Sequence, residues 1–557
     1  MSNRARAVVV ALVVFIAVWL ILFPHLFIGA ESVRTADGWG LENYRQFFTE
    51  PSNLEATLNS FWISVWSVLL AAVIGTPLAF LFHNLEFPGR RIFATLAGLP
   101  ILLPPLVGSI AIMFLYGESG VFSRSLQAVL ALSEPPFRFT GFFAILAVHA
   151  YTLYVYFFLF VSSGLDRLDR SQLEAARSLG ASQTRTFLSI TLPLLTPALV
   201  GASLITFLTS MASFSAPYLF GGGTRVLTVQ IFNAKVNGDV ALAYTQSIVL
   251  VSVSILMLAL LRYFESRRLY AGASRGTAAV RRRIGNPRLE KLLGLAGIVA
   301  VIFLLLPHLT ILLVSFVKEG SWTTQILPPE YSTENYRRLF ADAQFFEPIR
   351  NSLLMSLAAT LANLVWGFLA AYLLSSKRAF LGRRVLEGII LLPWALPGTV
   401  MAIALASTFS VNAPLQGRIL LVGSFWILPL AYFVRNVPLM VRAIQSSFAQ
   451  ADPAIEEAAY TLGAGPVLTL RSVVVPLVMP GIVTGSLMAL VMALGEFVAS
   501  IVLYTPLNRP ISVEILAQLR QFSFGTAAAY GVVLSILIAA VFIATQLLSG
   551  KTNQFRI

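Results

Sequence analysis

Residues 173–204 read LEAARSLGASQTRTFLSITLPLLTPALVGASL, and residues 456–487 read EEAAYTLGAGPVLTLRSVVVPLVMPGIVTGSL. Aligned without a gap, Glu174 falls on Glu457, 283 positions further along. Ala175 and Ala176 then fall on Ala458 and Ala459, Gly180 on Gly463, Pro193 on Pro476 and Pro197 on Pro480. Each copy is a polar, helix-forming island in a chain otherwise built of apolar runs. The chain is therefore one unit written twice. A polar island held at the same depth in both copies is expected to be a docking surface for a soluble partner.

The island residues also set local structure. Asp169 stands at a helix N-cap with Gln172 at capping-box spacing, and Asp452 is a cap followed by Pro453 at the first helical position. Gly180 and Gly463 stand where a helix ends in a left-handed residue. The alanine pair after each glutamate leaves a small-sided surface that can enter a cleft. Glu174 and Glu457 would anchor the island, either to a basic group of the partner or within the loop.

Working outward, 57% of the residues are hydrophobic and only 11% are charged, against about 25% charged in an ordinary soluble domain. The mean hydropathy is +0.80. A polytopic, all-α membrane protein fits these values. The net charge of +14 would point a soluble chain toward nucleic acid. In a membrane protein it reads as basic residues kept on cytoplasmic loops, so the lipid bilayer is a partner and nucleic acid is not. The absence of cysteine excludes disulfides and thiolate metal sites. The four histidines, His25, His83, His149 and His308, show no ligand spacing.

About twelve spans are expected, six per half. The first run, Ala7 to about Ile28, is too long for a signal sequence and lacks a cleavage site, so it is read as a helix with its N-terminus inside. Further spans are expected at about 58–82, 92–116, 141–163, 193–220 and 241–261. The third contains Pro100, Pro104 and Pro105, which bend a helix and free carbonyls; a kink and a pathway-lining role are both open. Residues 265–291, with Arg281, Arg282 and Arg283, read as a basic cytoplasmic linker between a first half, 1–264, and a second, 292–557. The second half repeats the first: TENYRRLF matches LENYRQFF, Asn351-Ser352 is expected to head the next span as Asn59-Ser60 does, FLGRR matches FPGRR, and Pro393 and Pro397 match Pro100 and Pro104. Its later spans are expected at about 385–410, 419–440, 476–504 and 526–548. The basic residues favour one side by excess rather than exclusively, with both termini cytoplasmic.

A charged side chain within a span is costly and a functional candidate. Glu496 is placed inside the eleventh span, with Ser213 as its counterpart. Arg435 is placed in the tenth, opposite Thr152. One reading has Glu496 facing a central path, touching substrate or pairing with Arg435; the other is a buried hydrogen bond near a helix break. Two motifs do not carry their usual meaning. Gly550-Lys551-Thr552 lacks the earlier glycine of a phosphate loop, and FPGRR lacks the Asp-Arg pair of major-facilitator transporters.

The spacing of E-A-A, Gly six residues after the Glu, and Pro thirteen further on resembles the cytoplasmic loop of ABC importer permeases. The resemblance covers essentially the whole chain, as two fused permease halves of the type I importer kind with coupling loops at about 165–192 and 442–475. It implies a bacterial inner-membrane permease rather than an enzyme, without cofactor or metal of its own. Two ATP-binding cassette subunits would carry ATP and Mg and receive the coupling helices. A periplasmic or extracellular substrate-binding protein would deliver the solute. Fusion of both halves and the tail from Gly495 to Gly531 are similar to ferric-iron permeases, so ferric iron is the leading substrate. Thiamine, polyamine or another small solute stays open, and a major-facilitator-like secondary transporter is the alternative of another class.

Overall fold

The computed structural model describes residues 3–35, 38–98, 100, 103–266, 282–283, 287–322, 325–376, 380–410 and 419–549. Most of the linker, including Arg281, and the Gly550-Lys551-Thr552 motif lie outside them. Eleven described helices are long and apolar enough to cross a membrane, or twelve when one bent pair counts as a single span. The expected all-α polytopic architecture is thus observed.

Helices are the only elements that fit these sequences, because a chain in hydrocarbon must satisfy its own backbone polar groups. Within each half the second span packs against the fourth: Pro51–Asn84 against Gly141–Asp166, and Ala343–Ser375 against Ile427–Gln450. Matching glycines make the approach possible. A methyl group on Gly75 would lie 2.7 Å from Phe157 Cβ, and one on Gly367 2.8 Å from Met440 Cγ.

The first helix of each half crosses to the other. The segment Phe23–Ser32 packs against Gly398–Thr408, and Pro287–Ser315 against Pro105–Tyr116. Trp19 meets Phe409 at a ring separation of 6.0 Å, and Tyr116, the repeat equivalent of Phe409, meets Phe303, one residue past the equivalent of Trp19, at 6.5 Å. Contacts exchanged reciprocally between equivalent helices are the mark of a twofold relation. The sequence repeat is therefore a spatial pseudo-twofold.

The repeated E-N-Y words have a structural role that the sequence reading did not assign. Asn43 Nδ2 donates to the carbonyls of Ser32 and Arg34, and the Tyr44 hydroxyl lies 2.7 Å from Ser32 Oγ. Asn335 likewise donates to Ser315 and Val317, and Tyr336 lies 2.7 Å from Ser315 Oγ. Each amphipathic helix, Glu42–Thr49 or Glu334–Ala341, is clasped to the end of its half's first span, where the last carbonyls need partners.

Three expectations are corrected. The proline-bearing third span is not one kinked helix. In the first half Arg90–Ala97 is separate from Pro105–Tyr116. In the second, Arg383–Ala395 and Gly398–Thr408 meet at 111°. Proline lacks the donor and disfavours helix in the residue before it, so two prolines four apart break rather than bend the helix. Asn59-Ser60 and Asn351-Ser352 do not head their spans, which begin eight residues earlier at Pro51 and Ala343. They sit within the helices and hold a later segment: Ser60 Oγ accepts from Leu227 N and Ser352 Oγ from Ile511 N. Finally, the eleventh span stops at Leu494, so Glu496 lies in a break before the short helix Val498–Leu503.

Candidate functional site

The two islands fold alike. A nine-residue helix, Arg170–Ser178 or Pro453–Thr461, is followed by a short turn of helix, Gln183–Thr186 or Pro466–Thr469. A π-helical turn comes next, Phe187–Thr191 or Leu470–Val474, leading into the fifth or eleventh span. Pro193 and Pro476 therefore sit directly after the π-helical turns, within the continuous helices Gln183–Met211 and Pro466–Leu494. Asp169 Oδ1 accepts from Ser171 N, and Asp452 Oδ1 from Ala454 N, both at 2.9 Å.

The alanine pairs and glycines act together at the helix end. Gly180 and Gly463 have φ of +82° and +84°. Leu179 N bonds Ala175 O and Ala181 N bonds Ala176 O; Leu462 N bonds Ala458 O and Ala464 N bonds Ala459 O. This is a Schellman ending, in which the left-handed glycine lets the next amide turn back onto the helix. No atom crowds the space a Cβ would fill at either glycine, so the dihedral angle alone demands glycine. The turn projects a leucine from each island, Leu179 at 89% exposure and Leu462 at 87%. The sequence reading passed over these two residues, although they occupy equivalent positions directly before each glycine.

Glu174, Ala175, Glu457 and Ala458 are exposed, whereas Ala459 is buried. Glu456, which precedes Glu457, accepts at 3.3 Å from the Tyr372 hydroxyl on the second half's second span. Each island thus offers an exposed edge carrying the glutamate, alanine and leucine. In the second island the other edge, with Glu456 and Ala459, faces the span bundle.

The residues assigned to the path are placed at helix breaks. Arg435 reaches the broken third span of its half, where Nη1 donates to Pro393 O at 2.9 Å and Leu396 O at 3.0 Å. Those carbonyls are freed by the break, and one guanidinium satisfies both. Glu496 Oε1 accepts from Ala499 N at 3.0 Å, capping the helix that follows it. Its backbone carbonyl takes hydrogen bonds from Ser500 and Ser512. The Glu496–Arg435 pair is not formed, since each has a backbone partner at a different break.

Ser213 is held differently. His149 Nε2 lies 2.9 Å from Ser213 Oγ, and its Nδ1 lies 2.9 Å from Ser67 Oγ and 3.1 Å from Ser210 Oγ. The ring is buried among these hydroxyls at the junction of three spans. The equivalent of His149 is Tyr432, whose hydroxyl meets Ser500 Oγ at 2.7 Å. This cluster escaped the sequence reading because no two of its members share a short motif. Among the described residues no group of three or more His, Cys, Asp or Glu side chains could hold a metal ion. Outside the spans, burial lowers the pKa of Lys235 below the usual lysine range.

Comparison with known proteins bears directly on this arrangement. The model of the family described as "Binding-protein-dependent transport system inner membrane component" matches twice, over residues 68–270 and 363–554. A probable ABC transporter permease protein, y4fN of Sinorhizobium fredii, is 31% identical over 90% of this chain and 88% of its own length. The ferric transport system permease protein FbpB of Actinobacillus pleuropneumoniae is 25% identical over 97% of this chain and 78% of its own. The sulfate transport system permease protein CysT of Salmonella typhimurium is 31% identical over 38% of this chain and 78% of its own. A solved bacterial ABC transporter involved in alginate import aligns with 48% of this chain at 19% identity and a TM-score of 0.39. With each half matching the family model across its island, the chain belongs to the binding-protein-dependent transport system inner membrane component family and is an ABC importer permease with both halves fused.

Proposed function

We propose that the chain forms the translocation path of an ATP-driven importer for ferric iron and that each island receives one separate ATPase subunit on the cytoplasmic side. The observation that carries this is the pair of matching exposed helix ends, Glu174 to Gly180 and Glu457 to Gly463, one in each half. Two equal docking surfaces suit two equal partners. ATP and Mg belong to those partners, and movement of the islands passes through the π-helical turns directly into the fifth and eleventh spans. Both termini lie in the cytoplasm in this reading. A periplasmic binding protein presents the solute to the opposite face.

Ferric iron is supported by the length of the likeness to ferric permeases, which runs through both halves. The sulfate permease covers a single half. Spermidine/putrescine permease PotB of Haemophilus influenzae, at 26% identity over 42% of this chain, keeps polyamine as the second reading. Affinity isolation from native membranes in mild detergent tests the proposal. An ATPase and an external binding protein are expected to accompany the permease, and the binding protein to carry iron when its metal content is measured. Uptake driven by a proton or sodium gradient with no ATPase attached would favour a secondary transporter instead.

A further inference from the structure

Phe214 and Phe497 are repeat equivalents, and their rings touch, with centroids 5.8 Å apart. Under a twofold, two equivalent points are separated by twice their distance from the axis. Each ring therefore lies within half of 5.8 Å of the pseudo-twofold axis. A path shared equally by two related halves runs along that axis, and here it is filled by two side chains exposed to only 1% and 2%. Both residues follow the breaks at Ser213 and Glu496 that end the fifth and eleventh spans, at the ends remote from the islands.

The surroundings hold the pair shut from both sides. Phe214 stacks on Tyr218 at 5.1 Å and meets Phe232 edge-on at 5.4 Å. Ile501 occupies the position equivalent to Tyr218. Two cations then cross between halves. Lys235 Nζ donates to Val502 O, and Arg520 donates to the Tyr218 hydroxyl while lying 5.7 Å from the centre of its ring. Lys235 and Arg520 close the last turns of two matching short helices, Leu227–Val236 and Ile511–Arg520. Each cation grips the short helix that directly follows the other half's axial phenylalanine.

We infer that Phe214 and Phe497 form the outer gate of the translocation path, and that Lys235 and Arg520 are crossed latches that keep it closed while solute is absent. An apolar constriction of this width excludes water and so blocks ions and small polar solutes. Opening requires the helices Ser215–Phe220 and Val498–Leu503 to part, which breaks both latches together because each spans the two halves. The gate rests on the transport reading given above, but its test needs no ATPase.

The chain has no cysteine, so Phe214→Cys/Phe497→Cys carries two thiols only. A short bifunctional thiol reagent is expected to link them within one chain in native membranes, identified by mass spectrometry of the joined peptides. In liposomes holding the purified permease alone, Phe214→Ala/Phe497→Ala is expected to release a trapped small anion on the order of tenfold faster than wild type. Lys235→Met/Arg520→Met should leak less than the alanine pair and more than wild type. Leu256→Ala, on an exposed apolar face, should match wild type. A monodisperse alanine variant as tight as wild type would overturn the gate. So would a two-thiol protein that reacts with single-thiol reagents but is never bridged; should the alanine pair fail to fold, bridging alone decides. ATPase recruitment by the islands stands or falls separately.

Discussion

The two halves agree closely at the islands and differ where they approach the axis. Gly180 and Gly463 share their dihedral angle and their Schellman bonds, and Leu179 and Leu462 share their exposure. Farther along the same helices the solutions diverge. The first half holds its break with His149 and three serines, whereas the second uses Tyr432, a capping Glu496, and Arg435 on the neighbouring broken span. The difference teaches that the repeat is retained where two equal partners would have to be met. Inside, each half has only to satisfy its own freed carbonyls and amides, and different side chains do that equally well.

The largest expected effect separates the halves at Arg435. Arg435→Met strands two buried carbonyls and should cost about 2–4 kcal/mol. Thr152→Ala, at the equivalent position, removes only a bond to Val148 O within its own helix and should stay within about 0.5 kcal/mol. Heating in detergent followed by size-exclusion chromatography reads both as midpoint shifts, and equal shifts would break the comparison. Next comes the packing of the second and fourth spans. Gly75→Ala drives a methyl group into Phe157 Cβ and the Tyr154 backbone, an overpacking of about 1–3 kcal/mol. Gly367→Ala meets the flexible Met440 side chain instead and should cost less than about 1 kcal/mol, since methionine re-packs easily. The same assay would count against this account if Gly367→Ala were the worse variant.

Smaller effects sharpen the picture at the breaks. His149→Leu removes the common partner of three hydroxyls and should cost about 1–2 kcal/mol, against about 0.5–1.5 for Tyr432→Phe, which loses one. The smallest contrast is the one expected to vanish. Gly180→Ala and Gly463→Ala each force a left-handed alanine, about 1–2 kcal/mol of local strain, with no added clash. Hydrogen exchange at the island amides should rise equally in the two variants. A response confined to one island would mean that the likeness of the two is superficial.

Much of this was legible in the sequence, because the repeat made the chain its own alignment. Glu174, Gly180 and Pro193 matched Glu457, Gly463 and Pro476 without a gap, and a left-handed glycine after a capped helix follows from local chemistry alone. The E-N-Y words were visible as a repeat, but their partners, Ser32 and Ser315, lie on another element. Glu496 and Arg435 were identified as costly charges, with a charged partner and a buried hydrogen bond near a helix break both open for Glu496, and the backbone bonds at the breaks favour the second. Apolar spans offer a cheaper partner than a charge, the unbonded backbone beside a break, and hydropathy does not show where a span breaks. The axial pair Phe214 and Phe497 was hidden among 41 phenylalanines, since touching an equivalent residue is a property of the fold.

The central claim is that two equal islands each hold one ATPase subunit, and the mass of the intact complex tests it most directly. Native mass spectrometry of the wild-type complex should give two ATPase copies per permease. Glu174→Lys alone and Glu457→Lys alone should each hold one copy, and the double variant none. Full occupancy in the double variant, or total loss caused by only one of the single variants, would contradict the account.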